Sequence, residues 1–289
     1  MIDYNPKSWV KLIFHFTKGD TISILWKELI MIFLFTLGVA YLEIHFFPQD
    51  KVLEKLFSVY QILGFVISLL LVFRTNTAYD RWWEGRRKWG ELVNDSRNFA
   101  VKIAAMDLPI EENKFFSRHI KNYVYCIKEH LRKGTDYSLL NLTEEEKVFL
   151  EGLDHVPSGI VELIYKRITD LVKTGQISEE AFLRLDKNLN GFLDTVGACE
   201  RIKNTPIPYS YSLFFKKFIF LYVLTLPLAF VVQFGYFSAL IATFIFYVFV
   251  SIEVLAEEIE DPFGTDDNDL PTDQLSDKIA KIADEILMK

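Results

Sequence analysis

Charge disappears from three stretches of this chain. Phe218 to Ile252 is 35 residues without an Asp, Glu, Lys or Arg, Leu56 to Phe73 is 18, and Leu29 to Leu42 is 14. A helix on the surface of a soluble domain needs a polar face at every turn, so such blocks predict helices surrounded by lipid. One crossing takes about 20 mostly apolar residues at about 1.5 Å each. Two crossings are read at Leu25–Phe47 and Val52–Phe73, joined by a turn over Phe46-Phe47-Pro48-Gln49-Asp50, where Pro48 cannot continue a helix. The third block, as one helix, would be about 52 Å long against a hydrocarbon core of about 30 Å. It divides at Gln233-Phe234-Gly235-Tyr236 into helices over about 214–233 and 236–255, the first kinked by Pro227. Four transmembrane helices are therefore predicted, in an all-α chain.

Lys and Arg set the orientation. Lys7, Lys11 and Lys18 precede the first crossing, Arg74, Arg81, Arg86, Arg87 and Lys88 follow the second, and Arg201, Lys203, Lys216 and Lys217 flank the third. The positive-inside rule then places both termini and the central segment in the cytoplasm of a cell whose plasma (inner) membrane holds the protein. The predicted layout is a cytoplasmic segment 1–24, transmembrane helices in 25–73, a cytosolic helical domain 74–211, two further crossings in 212–255, and an acidic cytosolic segment 256–289. No cleavable signal peptide is read, because no small-residue cleavage site follows the first apolar run.

Residues 74–211 hold 21 basic and 21 acidic side chains, and apolar residues at helical spacing predict helices over 76–104, 111–133, 143–150, 157–174 and 178–203. Thr143 with Glu146 three residues later is a capping box, and Ser178-Glu179-Glu180 opens another helix. From Glu253 onward there are 12 acidic and 3 basic residues. That acidity reads either as a solvated tail or as part of a functional loop.

Composition narrows the function. With 51% hydrophobic and 15% aromatic residues the chain is not disordered, and its two cysteines cannot staple a secreted scaffold. A net charge of −7 with no basic stripe leaves no footprint for nucleic acid. His15, His45, His119, His130 and His155 are scattered, without a zinc-binding pair, and each reads as a surface or packing residue; no phosphate loop or nucleophile elbow appears. The chain therefore does not read as an enzyme. Cys199 beside Arg201 reads as a packing residue, with a lowered thiol pKa as the alternative. A secondary transporter would show repeats and ionisable residues at the bilayer midplane, and the middles of the crossings carry none.

Three motifs remain. Arg81-Trp82-Trp83-Glu84 sits just beyond the second crossing, where indoles suit the interface and the Arg and Glu can pair. Cys199-Glu200-Arg201-Ile202 with Thr205-Pro206-Ile207-Pro208 re-aims the chain into the third. Asp261-Pro262-Phe263-Gly264 with Asp266-Asp267-Asn268-Asp269 follows the fourth, and its alternating carboxylates suit either solvent or a hard divalent cation. Together, in this order, these motifs resemble the bestrophin family in its bacterial branch, across nearly the whole chain.

The resemblance implies a homopentameric ion channel in the lipid bilayer, passing small monovalent inorganic ions, with chloride the family expectation. A monovalent-cation (Na+/K+) channel of the same build is the alternative, and a transporter a more distant one. It implies a hydrophobic neck on the second crossing at Phe65, Leu69 and Phe73, one stripe of an α-helix, since i, i+4 and i+8 share a face. Gly64 and Ser68 beside it would let helices approach closely. It implies a cytosolic constriction at Leu183, or in another register at Ile177. No cofactor is required; calcium at Glu258, Asp261, Asp266 and Asp269 is implied by analogy, although relatives with such a clasp usually carry amides where Glu258 and Asp261 stand here.

Overall fold

The computed structural model describes residues 21–47 and 51–289. The basic residues ahead of the first crossing, most of the segment 1–24, and the turn residues Pro48, Gln49 and Asp50 lie outside them. The described residues are helical and contain no strand. The described residues form ten α-helices: α1 Thr21–Phe46, α2 Lys51–Ala104, α3 Ile110–His130, α4 Glu144–Glu151, α5 Val156–Lys173, α6 Glu179–Asn204, α7 Tyr209–Thr225, α8 Pro227–Phe234, α9 Ser238–Glu260 and α10 Thr272–Leu287. Among the described residues three helical stretches, Thr21–Phe46, Lys55–Ala104 and Tyr209–Glu260, are long and apolar enough to cross a bilayer.

The chain divides into two compact units. The apolar one runs to Arg81 and resumes over Pro206–Glu260 and Asp266–Asn268; the polar one comprises Trp82–Thr205, Asp261–Thr265 and Asp269–Lys289.

In the apolar unit, α1 packs on α9 and α8, and α9 returns along α7 and α8. The buried positions of α1 include Thr36 and Ala40, and those of α9 include Ser238, Ala239 and Ala242, small residues that allow close backbone approach. The core joins Ile32 of α1, Ile67 and Leu71 of α2, Phe215, Ile219 and Tyr222 of α7, and Phe249 of α9. The kink expected at Pro227 is present: α7 stops at Thr225, Leu226 keeps helical angles, and α8 starts at the proline. The chain reverses at Gly235, whose φ of 54° suits a residue without Cβ. Large residues such as Met31, Leu34, Phe220, Leu240 and Phe244 remain exposed, as they would in a lipid-facing wall.

The polar unit is a helical body around a continuous core that includes Trp89, Phe99, Phe116, Tyr123, Ile164, Leu189 and Phe192. Phe99 meets Phe116 edge-on at 5.8 Å, and the buried Tyr123 hydroxyl donates to the Phe192 carbonyl at 2.5 Å. The capping box forms as expected: Thr143 Oγ1 accepts from Glu146 N and Glu146 Oε2 from Thr143 N. Ser178 likewise caps α6. The reading of the acidic C-terminus as a solvated tail needs correcting. Residues Thr272–Leu287 form an amphipathic helix, with Ile279, Ala283 and Leu287 in the core of the body. Its acidic face meets basic residues of α3 and of the turn that follows it: Asp273 accepts from Arg132, just past the helix end, at 2.7 Å and from Lys128 at 2.9 Å, and Asp284 from Lys121 at 2.8 Å.

Candidate functional site

The stripe on α2 is outward-facing. Phe65, Leu69 and Phe73 are 70%, 46% and 54% exposed, while Ile67, Leu71, Arg74 and Ala78 on other faces are buried. Three large apolar side chains thus stand in line along about 12 Å of helix. Such a stripe needs lipid or another protein surface, or, repeated around an axis, forms apolar rings that resist wetting. Of the two small neighbours, Gly64 serves packing within the chain: a Cβ there would lie 2.7 Å from Tyr222 Oη of α7. The Tyr222 hydroxyl in turn donates to the Tyr60 carbonyl at 3.2 Å. Ser68 Oγ donates back to the Gly64 carbonyl at 2.8 Å.

What holds the rotation of α2 was not legible as a site. Arg74, immediately after Phe73, is fully buried and turned the other way, with Nη2 donating to Glu260 Oε2 at 2.7 Å and Nε 3.7 Å from Glu253 Oε1. Glu260 also takes the Ile207 amide on Oε1 at 2.7 Å, and its carbonyl accepts from Arg81 Nε at 3.2 Å. One carboxylate therefore ties α2, the end of α9 and the lead-in to α7. Sequence reasoning counted Arg74 only as a topology signal. The clue available to it was the run of glutamates, Glu253, Glu257, Glu258 and Glu260, that ends an otherwise apolar helix.

The tryptophan motif splits by role. Trp82 packs against the core of the polar unit, whereas Trp83 stays exposed. Glu84 receives Arg201 Nη2 at 2.6 Å, so two of the recognised motifs meet there. Cys199 is buried, and burial pushes its thiol up to about 12, against any lowering by nearby cations; it is an inert packing residue, as is Cys126. His119, also buried, is pushed down to about 4 by burial and stays neutral.

The two registers for the second constriction are placed differently. Leu183, near the start of α6, is 67% exposed, but Ile177 is 4% exposed and belongs to the body's core. Ile177 is committed to packing and has no side chain to offer an aperture. Of the four acidic-loop residues, Glu258 and Asp266 belong to the apolar unit, Asp261 and Asp269 to the polar one. Glu258 Oε2 accepts from Asn268 at 2.6 Å, and Asp269 is buried beside Gly264. Among the described residues, the set of three donor side chains that converges within 4.8 Å is another one: His130, His155 and Glu200. The sequence reading took those histidines as surface or packing residues because 25 positions separate the two and 45 more separate His155 from Glu200. Only Glu200, inside a recognised motif, carried a signal.

Comparison with known proteins covers the chain almost end to end. The family described as Bacterial/Fungal Bestrophin protein matches residues 1–285. A Salmonella typhi protein named voltage-dependent anion channel-forming protein YneE is 32% identical over 96% of this chain and 91% of its own. A Nostoc protein named voltage-dependent anion channel-forming protein alr2987 is 32% identical over 97% and 92%. Among solved structures, a bacterial bestrophin homolog from Klebsiella pneumoniae superposes with a TM-score of 0.85 at 25% identity, over 92% of this chain and 99% of that one.

Proposed function

The chain belongs to the Bacterial/Fungal Bestrophin family, whose members are ion channels and not enzymes, and from that premise we propose that five copies of this membrane-embedded protein assemble around one axis into a passive channel for small monovalent anions. The observation that carries the proposal is the outward stripe Phe65–Leu69–Phe73, held in rotation by the buried Arg74 behind it. Five copies of such a stripe stack three apolar rings. Water leaves a narrow apolar ring at little cost, so the rings gate by dewetting rather than by binding the ion.

The remaining elements take their places around that neck. Four crossings are assigned per subunit: α1, the first part of α2, α7 with α8 as one kinked crossing, and α9. Both termini and the segment 74–211 lie in the cytoplasm, on the side where Arg and Lys gather after α2 and before α7. Leu183 forms the second constriction. The relatives named for anion channels favour chloride. One observation favours the cation reading instead: Asp80, exposed on α2 seven residues beyond Phe73, would add a ring of carboxylates that concentrates cations.

Purified protein in a planar bilayer under a tenfold NaCl gradient separates these readings, because the equilibrium potentials of Cl− and Na+ then differ in sign and each is about 59 mV in magnitude. Unitary current steps reversing near the chloride potential are expected. Reversal near the sodium potential would assign the neck to cations, and the absence of steps would remove the channel reading.

A further inference from the structure

Three segments distant in sequence bring their polar ends to one point in the polar unit. His130 is the last residue of α3, His155 is the N-cap of α5, and Glu200 lies near the end of α6. The Nε2–H groups of His130 and His155 both donate to Glu200 Oε1, at 2.6 and 2.8 Å, and the two rings stand 5.1 Å apart. None of this is needed by the neck, and none of it is sealed: the three side chains are partly exposed, so a solute reaches them.

The surrounding cations are already engaged. Arg201 is paired with Glu84, and Lys203 Nζ donates to the backbone carbonyls of His130 and Arg132. Glu200 Oε1 already accepts from both imidazoles, so the three donor atoms converge on one point.

Two imidazoles and one carboxylate form a borderline donor set that suits zinc and its first-row neighbours. Calcium and magnesium prefer oxygen alone. We propose that His130, His155 and Glu200 bind a divalent transition-metal ion, Zn2+ foremost, with a fourth position left to water. At Zn–N and Zn–O distances of about 2.0–2.1 Å, tetrahedral ligand atoms lie about 3.3 Å apart. The 2.6 and 2.8 Å contacts then open by roughly half an ångström or a little more, within reach of side-chain torsions. The proton also moves. His155 Nδ1 now accepts from the Ser158 amide at 3.2 Å, which leaves the imidazole proton on Nε2. Metal on Nε2 transfers that proton to Nδ1 and ends this long cap bond, which lowers the affinity and directs the site toward reversible loading. The bound ion would clamp the end of α3, the start of α5 and the end of α6 together.

The test uses tag-free, full-length protein in detergent, titrated calorimetrically with Zn2+ and spectroscopically with Co2+. One saturable ion per chain is expected, together with the intense visible bands of four-coordinate Co2+. Glu200→Gln, His130→Asn and His155→Asn should each weaken binding by about tenfold or more, since each removes a ligand, while Asp266→Asn in the acidic loop leaves it unchanged. Wild-type protein that takes up no stoichiometric Zn2+, or gives only the weak spectrum of hydrated Co2+, would overturn the proposal without recourse to any variant. Unchanged affinity in a folded Glu200→Gln protein would overturn it too and leave the cluster as a hydrogen-bonded joint.

Discussion

Replacing Arg74 by Met tests how α2 is held. The guanidinium has no exposed surface, sits 2.7 Å from Glu260 Oε2 and 3.7 Å from Glu253 Oε1, and its two partners are 15% and 5% exposed. Met nearly fills the volume, so the main effect is electrostatic: two carboxylates remain in a poorly hydrated site without the guanidinium that pairs them. Breaking a buried pair from one side costs about 3–5 kcal/mol, mostly the penalty on the charge left behind. Glu260→Gln should cost less, about 1–3 kcal/mol, because Arg74 keeps Glu253 and the Gln oxygen still accepts a hydrogen bond. The triple change Arg74→Met, Glu253→Gln, Glu260→Gln removes all three charges and should recover a large part of the loss. Equilibrium unfolding in mixed micelles, with thermal denaturation in detergent as a check, measures each difference. An Arg74→Met protein within about 1 kcal/mol of wild type, or a triple variant no better than the single one, would refute the claim that this cluster fixes the helix.

Two other perturbations follow from the packing. Gly64→Ala places a methyl 2.7 Å from Tyr222 Oη and should destabilise by about 1–3 kcal/mol, whereas in a Tyr222→Phe background much of that cost should vanish; a double-mutant cycle showing simple additivity would contradict the contact. Hydrogen bonds from Arg132, outweighing burial, hold the Asp273 carboxyl well below the usual carboxylate range. A depressed pKa in the fold means stability present above the unfolded value near 3.9 and lost as pH falls below it toward the folded value. With a side chain 58% exposed, its share is about 1 kcal/mol or less. Melting curves of wild type and Asp273→Asn should therefore differ at pH 6–7, begin to approach one another only below about pH 4, and meet in strong acid below the folded value; a gap that does not narrow at all below pH 4 would contradict the pairing.

The sequence was most legible where a few neighbouring residues decide the outcome. Thr143 with Glu146, Ser178, Pro227 and Gly235 each act through their own backbone, and each sits where the pattern put it. The C-terminal helix was misread because its acidic surplus masked a stripe of Ile279, Ala283 and Leu287. The carboxylates that suggested solvent are matched by Lys121 and Lys128 on α3 and by Arg132 just beyond it, some 150 residues earlier. Arg74 and the His130–His155–Glu200 cluster were missed for the same reason, since their partners are distant in sequence and local spacing carries no trace of them. The neck stripe is intermediate. Periodicity aligns Phe65, Leu69 and Phe73 on one face, but what that face meets came from the family resemblance alone.

The account rests on that face lining the passage. Unitary current through Phe73→Ala and Leu69→Ala proteins, compared with wild type in planar bilayers under the same NaCl gradient, tests it most directly. A neck of apolar rings predicts larger current or higher open probability in both variants, because a wider ring stays wetted, with the reversal potential unchanged in sign. Current indistinguishable from wild type in both variants, at normal expression and assembly, would contradict it.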